Sequence, residues 1–122
     1  MATGFIDAQE IGNGSGPVTL TKQSAAKAWA NLNGTGTIAG RDSLNISSYD
    51  DNGTGNYDYN FSTSFAAADY ASFAGTPNSA AFATGGTSGI AAGSWNTQVF
   101  GYNGASLVDV DHVSFSAHGD LA

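Results

Sequence analysis

The chain has 122 residues, enough for one compact domain and little more. Its three Lys and Arg stand against ten Asp and Glu, a net charge of −7, and so few cations disfavour nucleic-acid binding, which needs clustered Lys and Arg to neutralise phosphates. With no cysteine, a disulfide framework and a thiolate metal site are excluded; 17 glycines and few Leu, Glu, Lys or Gln point to short strands and many turns rather than long helices.

Residues 1–17 read as an N-terminal arm. Phe5 and Ile11 are isolated apolar residues, and Gly12-Asn13-Gly14-Ser15-Gly16-Pro17 supplies a hinge that would let them lie on a neighbouring subunit; a frayed terminus is the alternative. The terminus lacks the basic and apolar regions of a signal peptide, and no apolar run approaches the ~20 residues of a membrane span. The expectation is a protein with no membrane partner, made and used without Sec export.

Val18 to Thr21 is a short predicted strand, and Ala26 to Asn33 a second. Alternation in the second puts Ala28, Ala30 and Leu32 on one face and Lys27, Trp29 and Asn31 on the other. Its competitor is a helix over Ser24 to Leu32, because Ala is the best helix former. Thr37 to Ser48 follows as one extended run with Leu44 and Ile46 on a shared face. Asp50-Asp51-Asn52-Gly53-Thr54-Gly55 predicts a hairpin turn, since Asn-Gly adopts positive φ at low cost. The next strand, Asn56 to Phe61, would bury Tyr57, Tyr59 and Phe61 on one face.

Tyr70 to Ala74 is a predicted strand. Gly75 to Gly93 reads as a long loop with a short strand near Phe82, and a loop of that length in a small domain is usually functional or lies against something else. Gln98 to Tyr102 and Leu107 to His118 close the sheet. In the last of these the apolar phase shifts from Val108 and Val110 to Val113, Phe115 and Ala117, which predicts a bulge near Asp111-His112. The tally of strands and turns is that of an all-β, antiparallel β-sandwich or jelly-roll-like single domain over 18–122.

The ordered set Ala26-Lys27-Ala28-Trp29, Asn33-Gly34-Thr35-Gly36-Thr37, Arg41-Asp42-Ser43-Leu44-Asn45-Ile46-Ser47-Ser48, Asp51-Asn52-Gly53-Thr54-Gly55-Asn56-Tyr57 and Asn60-Phe61 resembles a small domain of tailed-phage virion proteins. That family is common in phages of marine and aquatic bacteria, as the C-terminal domain of tail-fibre-like proteins or as a short free-standing protein. The resemblance spans Lys27 to Phe61; the rest of the chain matches in character only. It implies a non-enzymatic homotrimer on the particle surface, with no catalytic motif to carry over, and does not specify capsid or fibre. Few residues precede the motif where a fibre protein would have its shaft. The expectation is therefore a capsid decoration or cement protein bound to the major capsid protein or other virion proteins, with a receptor-binding fibre tip recognising host surface glycan as the alternative.

Other constellations carry weaker chemistry. Asp50-x-Asn52-x-Thr54-Gly55-Asn56-x-Asp58 imitates a calcium loop, but its twelfth place is Phe61 where the loop requires Glu. Asp109, Asp111 and His112, with His118 and Asp120, could be assembled into a metal or acid–base site, although alternation along a strand would split them between faces. No serine lies in a Gly-x-Ser-x-Gly elbow, and Gly85-Gly86-Thr87-Ser88-Gly89 lacks the Lys of a phosphate loop. No cofactor, metal or catalytic residue is assigned. The candidate interface residues are Phe5, Ile11, Trp29 and Trp95. For Trp29 a place in the sandwich core competes with a subunit interface, and Tyr70, Tyr102 and Trp95 could stack on sugars.

Overall fold

The structure, a computed structural model, describes residues 25–122. The arm over 1–17, with Phe5 and Ile11, and the strand expected at Val18 to Thr21 lie outside the described residues. Among the described residues eight strands form: β1 (Ala28–Asn33), β2 (Ala39–Leu44), β3 (Ile46–Asp51), β4 (Asn56–Phe61), β5 (Ala71–Gly75), β6 (Ala81–Ala91), β7 (Ser94–Gly101) and β8 (Val113–His118). They build two four-stranded antiparallel sheets, ordered β2-β1-β8-β5 and β3-β4-β7-β6. The expected β-sandwich is the observed fold.

The core is readable strand by strand from period-two alternation. Ala28, Ala30 and Leu32 of β1 and Val113, Phe115 and Ala117 of β8 face Tyr57, Tyr59 and Phe61 of β4 and Trp95 and Val99 of β7. Small and large residues complement one another: Ala30 sits in register with Phe115, whose ring stacks on Tyr59 at 5.0 Å and on Trp95 at 4.6 Å. Each such aromatic contributes about 1.5–3 kcal/mol by leaving water, which outweighs the fraction of a kcal/mol per residue by which helix propensity favours Ala. The helix competing for Ser24 to Leu32 therefore loses to β1.

Four predicted boundaries are corrected. The run Thr37 to Ser48 is two strands in two sheets, because Asn45 turns the chain through φ 61°; its side-chain amide holds the backbone N–H (2.7 Å) and carbonyl (2.9 Å) of Thr63. Leu44 consequently stays 47% exposed while Ile46 packs against the core, so the two do not share a face. The loop expected over Gly75 to Gly93 contains β6, an eleven-residue strand. Its small residues are poor strand formers, but β7 supplies backbone partners for Ala81–Gly85 and for Ile90 and Ala91, and a register shift between Gly85 and Ile90 absorbs the glycines. Last, β7 begins at Ser94 rather than Gln98, and β8 begins only at Val113. Residues 107–112 are held by single bonds, Val108 N–H to Val99 O (3.0 Å) and Gly34 N–H to Val110 O (3.0 Å), so the apolar phase shift marks the entry to a strand.

Candidate interaction surface

The face of the first sheet that points away from the core carries an apolar row. Leu44 on β2 is in register with Trp29 on β1, Trp29 with Ser116 on β8, and Ser116 with Phe73 on β5. Neighbouring strands lie about 4.8 Å apart, so the row runs roughly 14 Å across the sheet. Phe73 is 64% exposed and Trp29 half-buried. A second row, Asp42–Asn31–Ser114–Gly75, lies beside it on the same face. Between the rows at the β5 side is a shallow depression of about 270 Å³ lined by Phe73, Ala74, Gly75, Ser114, Phe115 and Ser116.

Trp29 therefore belongs to the surface and not to a second layer of the sandwich: the alternation that sends Ala28 and Ala30 inward sends its indole out. Trp95 shows the reverse. It is 4% exposed, stacked on Phe115 and tilted against Tyr59 at 5.9 Å, so as an interface candidate it is corrected to a core residue. Of the residues considered for sugar stacking, Tyr70 is buried against Phe65 at 4.1 Å and Tyr102 is 84% exposed. The sequence reading missed Phe73 and put Leu44 on one face with Ile46. The signal for Phe73 was present, since β5 alternates and Ser72 and Ala74 take the inner phase.

The polar constellations resolve into structural contacts. Asp109 Oδ1 accepts the Gly55 N–H (2.7 Å) and lies 2.7 Å from the Tyr57 hydroxyl, which is also 2.8 Å from Gly34 O. Burial, helped by the Asp109 hydrogen bond and charge, pushes the Tyr57 phenol well above its ordinary pKa, so it acts as a proton donor throughout the neutral range. Asp109 thus ties the β3–β4 hairpin to the segment before β8. Asp111 and His112 form an adjacent, exposed pair at 3.4 Å. Asp50 Oδ2 accepts from the Asn60 amide (2.9 Å) and Asp58 Oδ1 from the Asn96 amide, so both carboxylates of the calcium-like loop are engaged by side-chain amides of the ladder, while neighbouring Asp51 Oδ1 accepts the Gly53 N–H of the turn (3.0 Å). Ser116 Oγ lies 3.1 Å from His118 Nε2, and Phe73 meets the His118 ring edge-on at 6.4 Å. This pair sits two residues apart on one flat strand face, a spacing that brings such side chains together without any catalytic arrangement.

The opposite ends of the sandwich differ in charge. The edge strands β2 and β3 carry Arg41, Asp42, Asp50 and Asp51, whereas every residue from Tyr70 to Val108, hence all of β5, β6 and β7, is uncharged. Phe73, Phe82, Ile90 and Tyr102, four of the five large apolar side chains that stay exposed among the described residues, lie in that uncharged segment. No protein-family model, curated protein or solved structure matches the chain.

Proposed function

We propose that this chain is a non-enzymatic structural protein of the outer surface of a tailed-phage particle, a decoration or cement protein that stabilises the head by binding the major capsid protein. The observation that carries the reading is the row Leu44–Trp29–Ser116–Phe73, a stripe with three large apolar side chains on the outer face of a sheet. Half of it, Trp29 and Leu44, comes from the segment that resembles phage virion domains. A flat stripe with an aromatic anchor is suited to holding another protein surface by apolar burial, and a ligand that binds only the assembled shell stabilises it by mass action. Imaging the particle with a specific label tests the location: hundreds of copies on the head are expected, and a handful at the tail would overturn the capsid reading. Particles lacking the protein should lose resistance to heat and internal pressure, and Trp29→Asp should behave like the deletion.

A second reading is a receptor-binding fibre tip. The depression floored by Ser114 and Ser116 beside Phe73, with Asn31 and Asp42 nearby, combines an aromatic face with hydrogen-bonding groups, the pairing that holds a sugar ring. A glycan array distinguishes the two, because binding that disappears in Phe73→Ala supports the fibre reading and a blank array supports the cement reading.

A further inference from the structure

We infer that copies of this chain associate with one another through the uncharged β5–β6 edge, with the β6 segment Ala81–Gly85 as the pairing strand. The inference rests on the fold and the charge distribution alone and does not depend on where the protein resides.

Both sheets end on this side of the molecule, and β5 and β6 pack against each other there across the two layers. An edge strand offers a row of unpaired backbone groups, and proteins that must stay monomeric usually guard such edges with charge. Among the described residues, β2 and β3 carry such charges and β5 and β6 carry none. The direction of the exposed groups on β6 follows from its ladder with β7. Tyr102 N–H donates to Ala80 O at 2.7 Å, so residues 80, 82 and 84 bond towards β7, and antiparallel alternation turns the amide and carbonyl of Ala83 and Gly85 outward. Beyond Gly85 the register shift breaks the ladder, which confines pairing to a short stretch and keeps the edge from templating without limit.

Charge selects the partner. At net −7 two copies repel overall, and contact at the β2–β3 end would set three carboxylates, Asp42, Asp50 and Asp51, with Arg41 as the one cation of these two strands, against the same acidic set. A cationic partner would be drawn to that acidic end. The β5–β6 end is the face on which an acidic protein meets its own copy without like-charge opposition, and there Phe82, already stacked on Phe100 at 5.6 Å, supplies apolar area.

Sedimentation of the whole chain tests this. The wild type should associate reversibly. Thr84→Lys, at an exposed outer-face position of β6, should weaken association by at least about tenfold, the effect of placing like charges opposite one another in an interface. Thr37→Lys, in the exposed β1–β2 connection, should leave association unchanged. Thermal unfolding checks that both variants fold, and hydrogen exchange of the Ala83 and Gly85 amides should slow as wild-type concentration rises. A monomeric wild type, equal association in both variants, or exchange independent of concentration would each overturn the inference. Particle imaging, which tests the virion reading, is unaffected by any of these results.

Discussion

Two tryptophans illustrate how one residue type takes opposite roles under the same alternation. Trp95→Ala should destabilise the fold by about 3–5 kcal/mol, as removal of a buried aromatic does, whereas Trp29→Ala should leave the melting temperature nearly unchanged and act on binding instead; calorimetry of the two variants checks both. Asp109→Ala, which removes the acceptor for the Gly55 amide and the Tyr57 hydroxyl, should cost roughly 1–3 kcal/mol by chemical denaturation. Tyr59 makes a contrasting case. Its ring is fully buried, but its hydroxyl has no hydrogen-bond partner among the described residues, so Tyr59→Phe should be neutral or stabilising by up to about 1 kcal/mol. Burial raises the pKa of Tyr57, Tyr59 and Tyr70 well above the ordinary 10.0. The unfolded chain then releases these protons first, so stability is complete below pH 10 and falls as pH rises beyond it. Melting temperature followed from neutral to strongly alkaline pH should show this decline, and Tyr59→Phe should lessen it.

Among the strands, those with strict alternation of large and small apolar residues were readable from the sequence, and those whose pairing rests on backbone alone were not. β1, β4 and β8 announce their buried faces through Ala28/Ala30/Leu32, Tyr57/Tyr59/Phe61 and Val113/Phe115/Ala117. The β3–β4 turn was readable too, because Asn52-Gly53 has a local preference; it closes with Asn52 N–H to Asn56 O at 2.9 Å. β6 carries Gly and small residues with no pattern of its own, and only the presence of β7 defines it. The step from β2 to β3 depends on Asn45, whose left-handed backbone and two bonds to Thr63 carry the chain between sheets. Asn45→Ala loses both bonds and keeps the strained φ, a cost of about 2–4 kcal/mol, while Asn45→Gly should cost less because it relieves the backbone. Equal losses for the two variants would show that the backbone conformation contributes nothing.

For the assembled sandwich, the division into a charged end and an uncharged end governs association. Raising ionic strength from about 0.01 to 1 M shortens the screening length from about 30 to 3 Å. Repulsion between acidic copies then weakens, so association through the β5–β6 end should strengthen with salt; light scattering across that range checks the sign, since a contact built on ion pairs would weaken instead. The candidate surface was only partly readable in advance. Trp29 is outward-facing by the alternation of its own strand, but its neighbours Leu44, Ser116 and Phe73 lie on three other strands and meet it only through cross-strand register.

What the sequence by itself determined is the all-β class, the inward faces of three strands and the β3–β4 hairpin, because period-two alternation and turn chemistry act over a few neighbouring residues. The order of strands in each sheet, the switch at Asn45, the strand β6, the burial of Trp95 and the convergence of two uncharged edges on one side were decided by tertiary structure. Each depends on a partner supplied from elsewhere in the chain, and no local pattern encodes which partner will be there.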